Sequence, residues 1–180
     1  MATVKTKSNN TAKARRGANL PASNSIYRYQ APNKYGAIIM PTGSFCLLPK
    51  HIIEEVLVSF YNLLEDDGII VIDLLLPSDF ISGQTETVAY ELDSETGILF
   101  TISHQNIDWV SQKVSYIHRY ELLKNGLIQQ TEISNFILYW YGVSEFEMML
   151  KHAGFSEINH VFSYGNSNQK SLITFMATKM

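Results

Sequence analysis

The sequence predicts an α/β fold, a helix-flanked sheet that carries an antiparallel β-meander. A short apolar run at Tyr35–Pro41 is followed by Leu48 to Asp66, which carries apolar side chains at helical spacing, and then by a second apolar run, Gly68–Leu76, stopped by Pro77. That order is a βαβ unit. Both runs are continuous rather than alternating, which predicts strands covered on both faces in a parallel sheet between helices. From Glu86 to Tyr141 the apolar period changes to about two, with turn residues between the segments, which predicts the meander.

The elements follow in order. Residues 1 to about 24 are polar and small around a basic middle, and are expected to be mobile unless something holds them. Ile26–Gln30 could be a short strand. The first helix places Pro49 in its opening turn and sets Ile52, Ile53, Val56, Leu57, Phe60, Leu63 and Leu64 on one stripe. Glu65-Asp-Asp-Gly68 closes it, with Gly68 expected in the left-handed conformation. In the meander, Thr87–Leu92 leads into Ile98–Ser103, and Lys113–Leu123 turns through Lys124-Asn125-Gly126 into the last strand. Asn-Gly predicts a tight hairpin, because both residues tolerate positive φ. Ser144-Glu-Phe-Glu147 has the pattern of a capping box opening a short helix at Glu145. Phe155–Tyr164 and Ser171–Thr178 are predicted as two closing strands joined by Gly165–Asn168.

Composition narrows the function. The 180 residues carry a net charge of −3, unevenly spread: the seven Lys and Arg between Met1 and Lys34 meet no Asp or Glu, leaving the rest of the chain at about −10. The basic arm could touch phosphates, but the acidic remainder would repel a nucleic-acid backbone, so nucleic acid is not an expected partner. No apolar run approaches the ~18 residues needed to span a bilayer, and the single Cys46 cannot form an internal disulfide, which fits a reducing, cytoplasmic setting. His51, His104, His152 and His160 are scattered without ligand spacing, so no metal site is expected. Cys46 has no His nearby in sequence and reads as a buried small hydrophobe rather than a nucleophile.

A strand ending in Pro41-Thr-Gly-Ser-Phe45, a helix, Asp67-Gly-Ile-Ile-Val-Ile-Asp73, a meander ending in Leu138-Tyr-Trp-Tyr-Gly142, and Glu145-Phe-Glu-Met-Met-Leu-Lys-His-Ala-Gly-Phe155 together resemble class I S-adenosylmethionine-dependent methyltransferases over residues 34 to 180. The resemblance implies a partial Rossmann-like sheet, with residues 86–141 as a substrate-side insertion and 1–33 as a basic leading segment. It also implies transfer of a methyl group from S-adenosylmethionine to a small-molecule acceptor. The family's Gly-rich G-x-G-x-G loop and the acid that holds the cofactor ribose have no counterpart, since residues 1–33 contain only Gly17 and no carboxylate. The chain resembles the family with its beginning removed. The alternative is a non-catalytic, truncated methyltransferase-like module for binding or oligomerisation. Loss of the neighbouring strand would leave residues 35–40 as an open apolar edge, a template for a homo-oligomer.

By the same resemblance Thr42, Gly43, Ser44 and Phe45 border the cofactor, while Asp73, His118, Arg119, Tyr139 and Tyr141 are candidates for the acceptor side. Each has a plain structural reading too. Gly43 and Ser44 are ordinary strand-to-helix loop residues, and Asp73 could be a strand-end cap. A face of Tyr116, His118 and Tyr120, with Arg119 pointing away, could line a cavity or simply be sheet surface. Tyr139-Trp140-Tyr141 could wall a substrate or pack the meander onto the domain, with Trp140 expected in the core.

Overall fold

A computed structural model describes residues 33–165 and 171–180. The expected strand at 26–30, the mobility of the basic arm and most of the turn at 165–168 fall outside or partly outside the described residues. The elements are β1 (Tyr35–Met40), α1 (Ile53–Leu63), β2 (Leu64–Leu75), β3 (Thr85–Glu91), β4 (Thr96–Asp108), β5 (Lys113–Lys124), β6 (Leu127–Tyr139), α2 (Val143–His152), β7 (Phe155–Phe162) and β8 (Leu172–Lys179).

Two sheets result. One has the order β1-β2-β8-β7, and the other is β3-β4-β5-β6, each strand paired with the next. In the first, β1 and β2 run parallel with Ile38 beside Ile70 and Met40 beside Ile72, the pairing the two apolar runs predict. β8 runs antiparallel to β2, and β7 antiparallel to β8, so the sheet is mixed. Ile70, Ile72, Leu74, Ile173, Phe175 and Ala177 lie on one face of this sheet, and Ile53, Val56, Leu57 and Phe60 of α1 join Phe146 and Leu150 of α2 in one core against them.

Of the two faces expected to be covered, the described residues cover one. Both helices pack on the same face, and among the described residues the opposite face is open: Ile39 is 64% exposed, Ile69 45% and Met176 40%. Continuous apolar runs therefore mark strands with two apolar faces, of which the described residues cover one. β1 also forms the outer edge of the sheet within the described residues.

Local signals were displaced in three places. A 3-10 turn, Ser44–Leu47, precedes the Leu48–Asp66 stripe, which itself opens with a second 3-10 turn, Lys50–Ile52, and continues as α1, which stops at Leu63 because Leu64 already takes extended backbone. The expected closing segment 65–68 already belongs to β2, and its left-handed residue is Asp67 (φ 62°) rather than Gly68, which is needed for closeness: a Cβ there would stand 2.8 Å from the Glu65 carbonyl oxygen. α2 begins at Val143 behind Gly142, and the carboxylate that reaches back is Glu145, accepting the Gly142 N–H at 2.9 Å. Glu147 turns instead to His160 Nδ1 at 3.2 Å. The Asn125-Gly126 turn takes two positive φ values, 51° and 73°, which matches the hairpin signal.

Candidate active site at the carboxyl end of the parallel pair

Where β1 ends, the chain makes a tight loop. Thr42 and Gly43 both adopt left-handed backbone (φ 57° and 71°), and the Pro41 carbonyl gathers the Ser44 N–H at 3.2 Å and the Thr42 and Ser44 hydroxyls at 2.8 Å each. Beside it, Asp73 is 2% exposed and accepts the Thr42 N–H at 2.7 Å, the Thr174 hydroxyl at 2.7 Å and the Tyr164 hydroxyl. A buried carboxylate must have such partners, and three donors take most of its acceptor capacity. Asp73 therefore ties the loop after β1 to β2, β8 and the turn after β7. The hydrogen bond to Asp73 raises the Tyr164 phenol above its ordinary range, since it favours the protonated donor.

Gly43 has a packing reason of its own. A Cβ built there would lie 2.4 Å from Leu75, whose side chain rests on the loop, and L residues resist the backbone conformation in any case. Phe45 points into the core, completely buried, with edge contacts to Tyr141 (6.0 Å) and Phe146 (5.2 Å). Cys46 is buried as well. Its thiol is pushed up to about 11 by burial, although it accepts the Leu75 N–H at 3.3 Å. Such a thiol stays protonated and inert at neutral pH.

The structure separates the other candidates. Tyr141 is fully buried beneath Lys50, whose ammonium sits 4.6 Å from the ring centre, and burial above all raises its phenol. Tyr139 packs against the core from the last residue of β6. Trp140, expected in the core, is only half-buried and lies edge-on to Trp109 at 5.6 Å. His118 sits mid-meander, stacked on Phe136 at 4.3 Å, and burial lowers its pKa so that the imidazole is neutral at pH 7. Arg119 faces the other way and pairs with Glu121. So the loop and Asp73 come together, while His118 and Arg119 stand apart from them on the meander.

Sequence reasoning missed Thr174, Tyr164 and Lys50. Lys50 bonds Gln112 and reaches Glu145 Oε1 at 3.1 Å, and Gln112 donates to Glu145 Oε2 at 2.7 Å. This cluster pins the β4–β5 turn to α2, and no local pattern announces it. Among the described residues no group of three His, Cys, Asp or Glu could hold a metal ion, and no helix is long and apolar enough to cross a membrane.

The fold is similar to that of solved S-adenosylmethionine-dependent methyltransferases over the part of them that this chain spans. DesVI of Streptomyces venezuelae superposes with a TM-score of 0.69 at 13% identity, covering 87% of this chain and 63% of that one. CalS10 from Micromonospora echinaspora, solved with S-adenosylmethionine and described as an amino pentose methyltransferase, gives 0.67 at 13% identity, with 87% and 63% covered. An S-adenosylmethionine-dependent methyltransferase from Clostridium acetobutylicum gives 0.66 at 16% identity, with 86% and 62% covered. The chain thus spans somewhat under two thirds of the length of these structures. No family model and no curated protein matches the sequence.

Proposed function

We propose that the chain takes part in methyl transfer from S-adenosylmethionine to a small-molecule acceptor. The observation that carries this reading is the rigid loop at Thr42–Phe45, locked to the buried Asp73 at the carboxyl end of the parallel pair, where ligands of such sheets bind. S-adenosylmethionine would supply an electrophilic methyl group on a sulfonium centre. The protein's task in such a reaction is alignment, because an in-line displacement gains most of its rate from holding donor and acceptor together and needs no nucleophilic side chain. The loop fits that task. Three hydrogen bonds on the Pro41 carbonyl and one from Thr42 to Asp73 fix its backbone before any ligand arrives. The amino pentose named for CalS10 is an example of an acceptor in this fold.

A second reading is favoured by one feature of the sequence. None of the ten glycines has another within six positions, so nowhere in the 180 residues is there a G-x-G turn to approach the cofactor. On that ground the chain would be a non-catalytic binding module. Titration calorimetry with S-adenosylhomocysteine separates the two. The methyl-transfer reading expects micromolar binding, and absence of heat at millimolar ligand selects the module.

A further inference from the structure

One cavity lies against the proposed site. It has a volume of about 170 Å³ and sits between the end of β2, through Leu75, Leu76 and Pro77, and the base of the meander, through Val114 and Leu138. Tyr116 and Trp140 complete the lining. Leu75 joins it to the loop, since the same side chain that walls the cavity stands over Gly43. The position is the crevice beyond the carboxyl ends of the strands, which fits an acceptor subsite beside the loop.

Its chemistry is one-sided. Five of the lining residues are purely hydrocarbon, Val114 is 3% exposed, and the Trp140 indole N–H is buried without a hydrogen-bond partner among the described residues. Tyr116 is held by edge contacts to His104 at 5.0 Å and Phe80 at 5.7 Å. Its hydroxyl has no hydrogen-bond partner among the described residues. The burial that raises its pKa keeps it protonated at neutral pH. A dry, apolar cavity of ~150 Å³ accommodates a benzene ring. A sugar ring of similar size would carry several hydroxyls against mostly hydrocarbon walls, and the Tyr116 hydroxyl and Trp140 N–H are too few to replace the water they lose.

We propose that this cavity binds an aromatic or other apolar six-membered ring bearing one polar substituent, which Tyr116 engages, and that it discriminates against a sugar ring. As an acceptor subsite it rests on the methyl-transfer reading, whereas ring binding can be measured without cofactor.

The test is methyl NMR on the full chain, following Leu75, Val114 and Leu138 during titration with p-cresol, toluene and methyl xylopyranoside. The expected result is shifts of these methyls with p-cresol at a Kd of about 1–10 mM, reasonable for so small a fragment, and none with the xyloside. Tyr116→Phe should weaken p-cresol about fivefold and leave toluene unchanged. A second variant, Val114→Ala, enlarges the cavity and should keep the order of the three ligands. Shifts with the xyloside but not p-cresol, or none at these methyls with any ligand, overturn the proposal. If p-cresol binds while S-adenosylhomocysteine does not, the ring site stands and the methyl-transfer reading falls. If the reverse holds, the ring site alone is lost.

Discussion

Asp73 is a buried carboxylate that gathers three donors from three parts of the chain. It was legible in the sequence as an acid near a strand end, but its partners were not: Tyr164 lies 91 residues further on and Thr174 101. In β8, Thr174 reads as an ordinary polar residue between Ile173 and Phe175, and only the register opposite Asp73 gives it a role. Asp73→Asn keeps the size but places an amide against three donors. It should cost about 1–3 kcal/mol of stability, because hydrogen bonds to a charged acceptor are lost and a donor faces a donor. Urea unfolding of the variant checks this, and an unchanged midpoint would mean the tie carries no weight. The same logic explains why Phe45 and Tyr141 were hard to place. A large aromatic beside a loop suits a ligand wall or a core equally well, and only burial decides, here for the core.

At the scale of elements, periodicity found α1 and the parallel pair, and hydrophobic alternation with Asn-Gly found the β5–β6 hairpin. Boundaries slipped where an apolar residue satisfied two patterns at once: Leu64 continues the helical stripe and yet opens β2. The Lys50–Glu145–Gln112 cluster was invisible because its members come from a 3-10 turn, a helix and a β-turn. Burial pushes the Glu145 pKa up, but the Gln112 amide, the Gly142 N–H and Lys50 outweigh it, and the net shift is downward from 4.5. A carboxyl depressed in the folded state adds stability above its unfolded pKa and loses it as pH falls through the folded one. Glu145→Gln should therefore cost about 1 kcal/mol at pH 7, modest because the pair is partly exposed, and the difference from the parent should shrink below about pH 4.5. Urea titrations at pH 7 and 3.5 measure it. A gap that holds constant or widens in acid would refute the assignment.

For the whole molecule, the decisive pattern was the two apolar runs, which specified parallel neighbours because a helix between them permits that crossover. What they left unread is which face the helices cover. Hydrophobic content makes a face eligible for burial, but the partner that buries it comes from elsewhere in the structure. The described residues combine a core built on one face of a mixed sheet, an open apolar face carrying Ile39 and Met176, and a rigid loop at the end of the parallel pair. The methyl-transfer reading puts the methyl donor at this loop. It is tested most directly by backbone amide NMR of the isotopically labelled protein with S-adenosylhomocysteine added. The amides of Thr42, Gly43, Ser44 and Phe45 should shift first and furthest. Saturable shifts confined to the helical face or the meander tip, or no shifts at millimolar ligand, would contradict it.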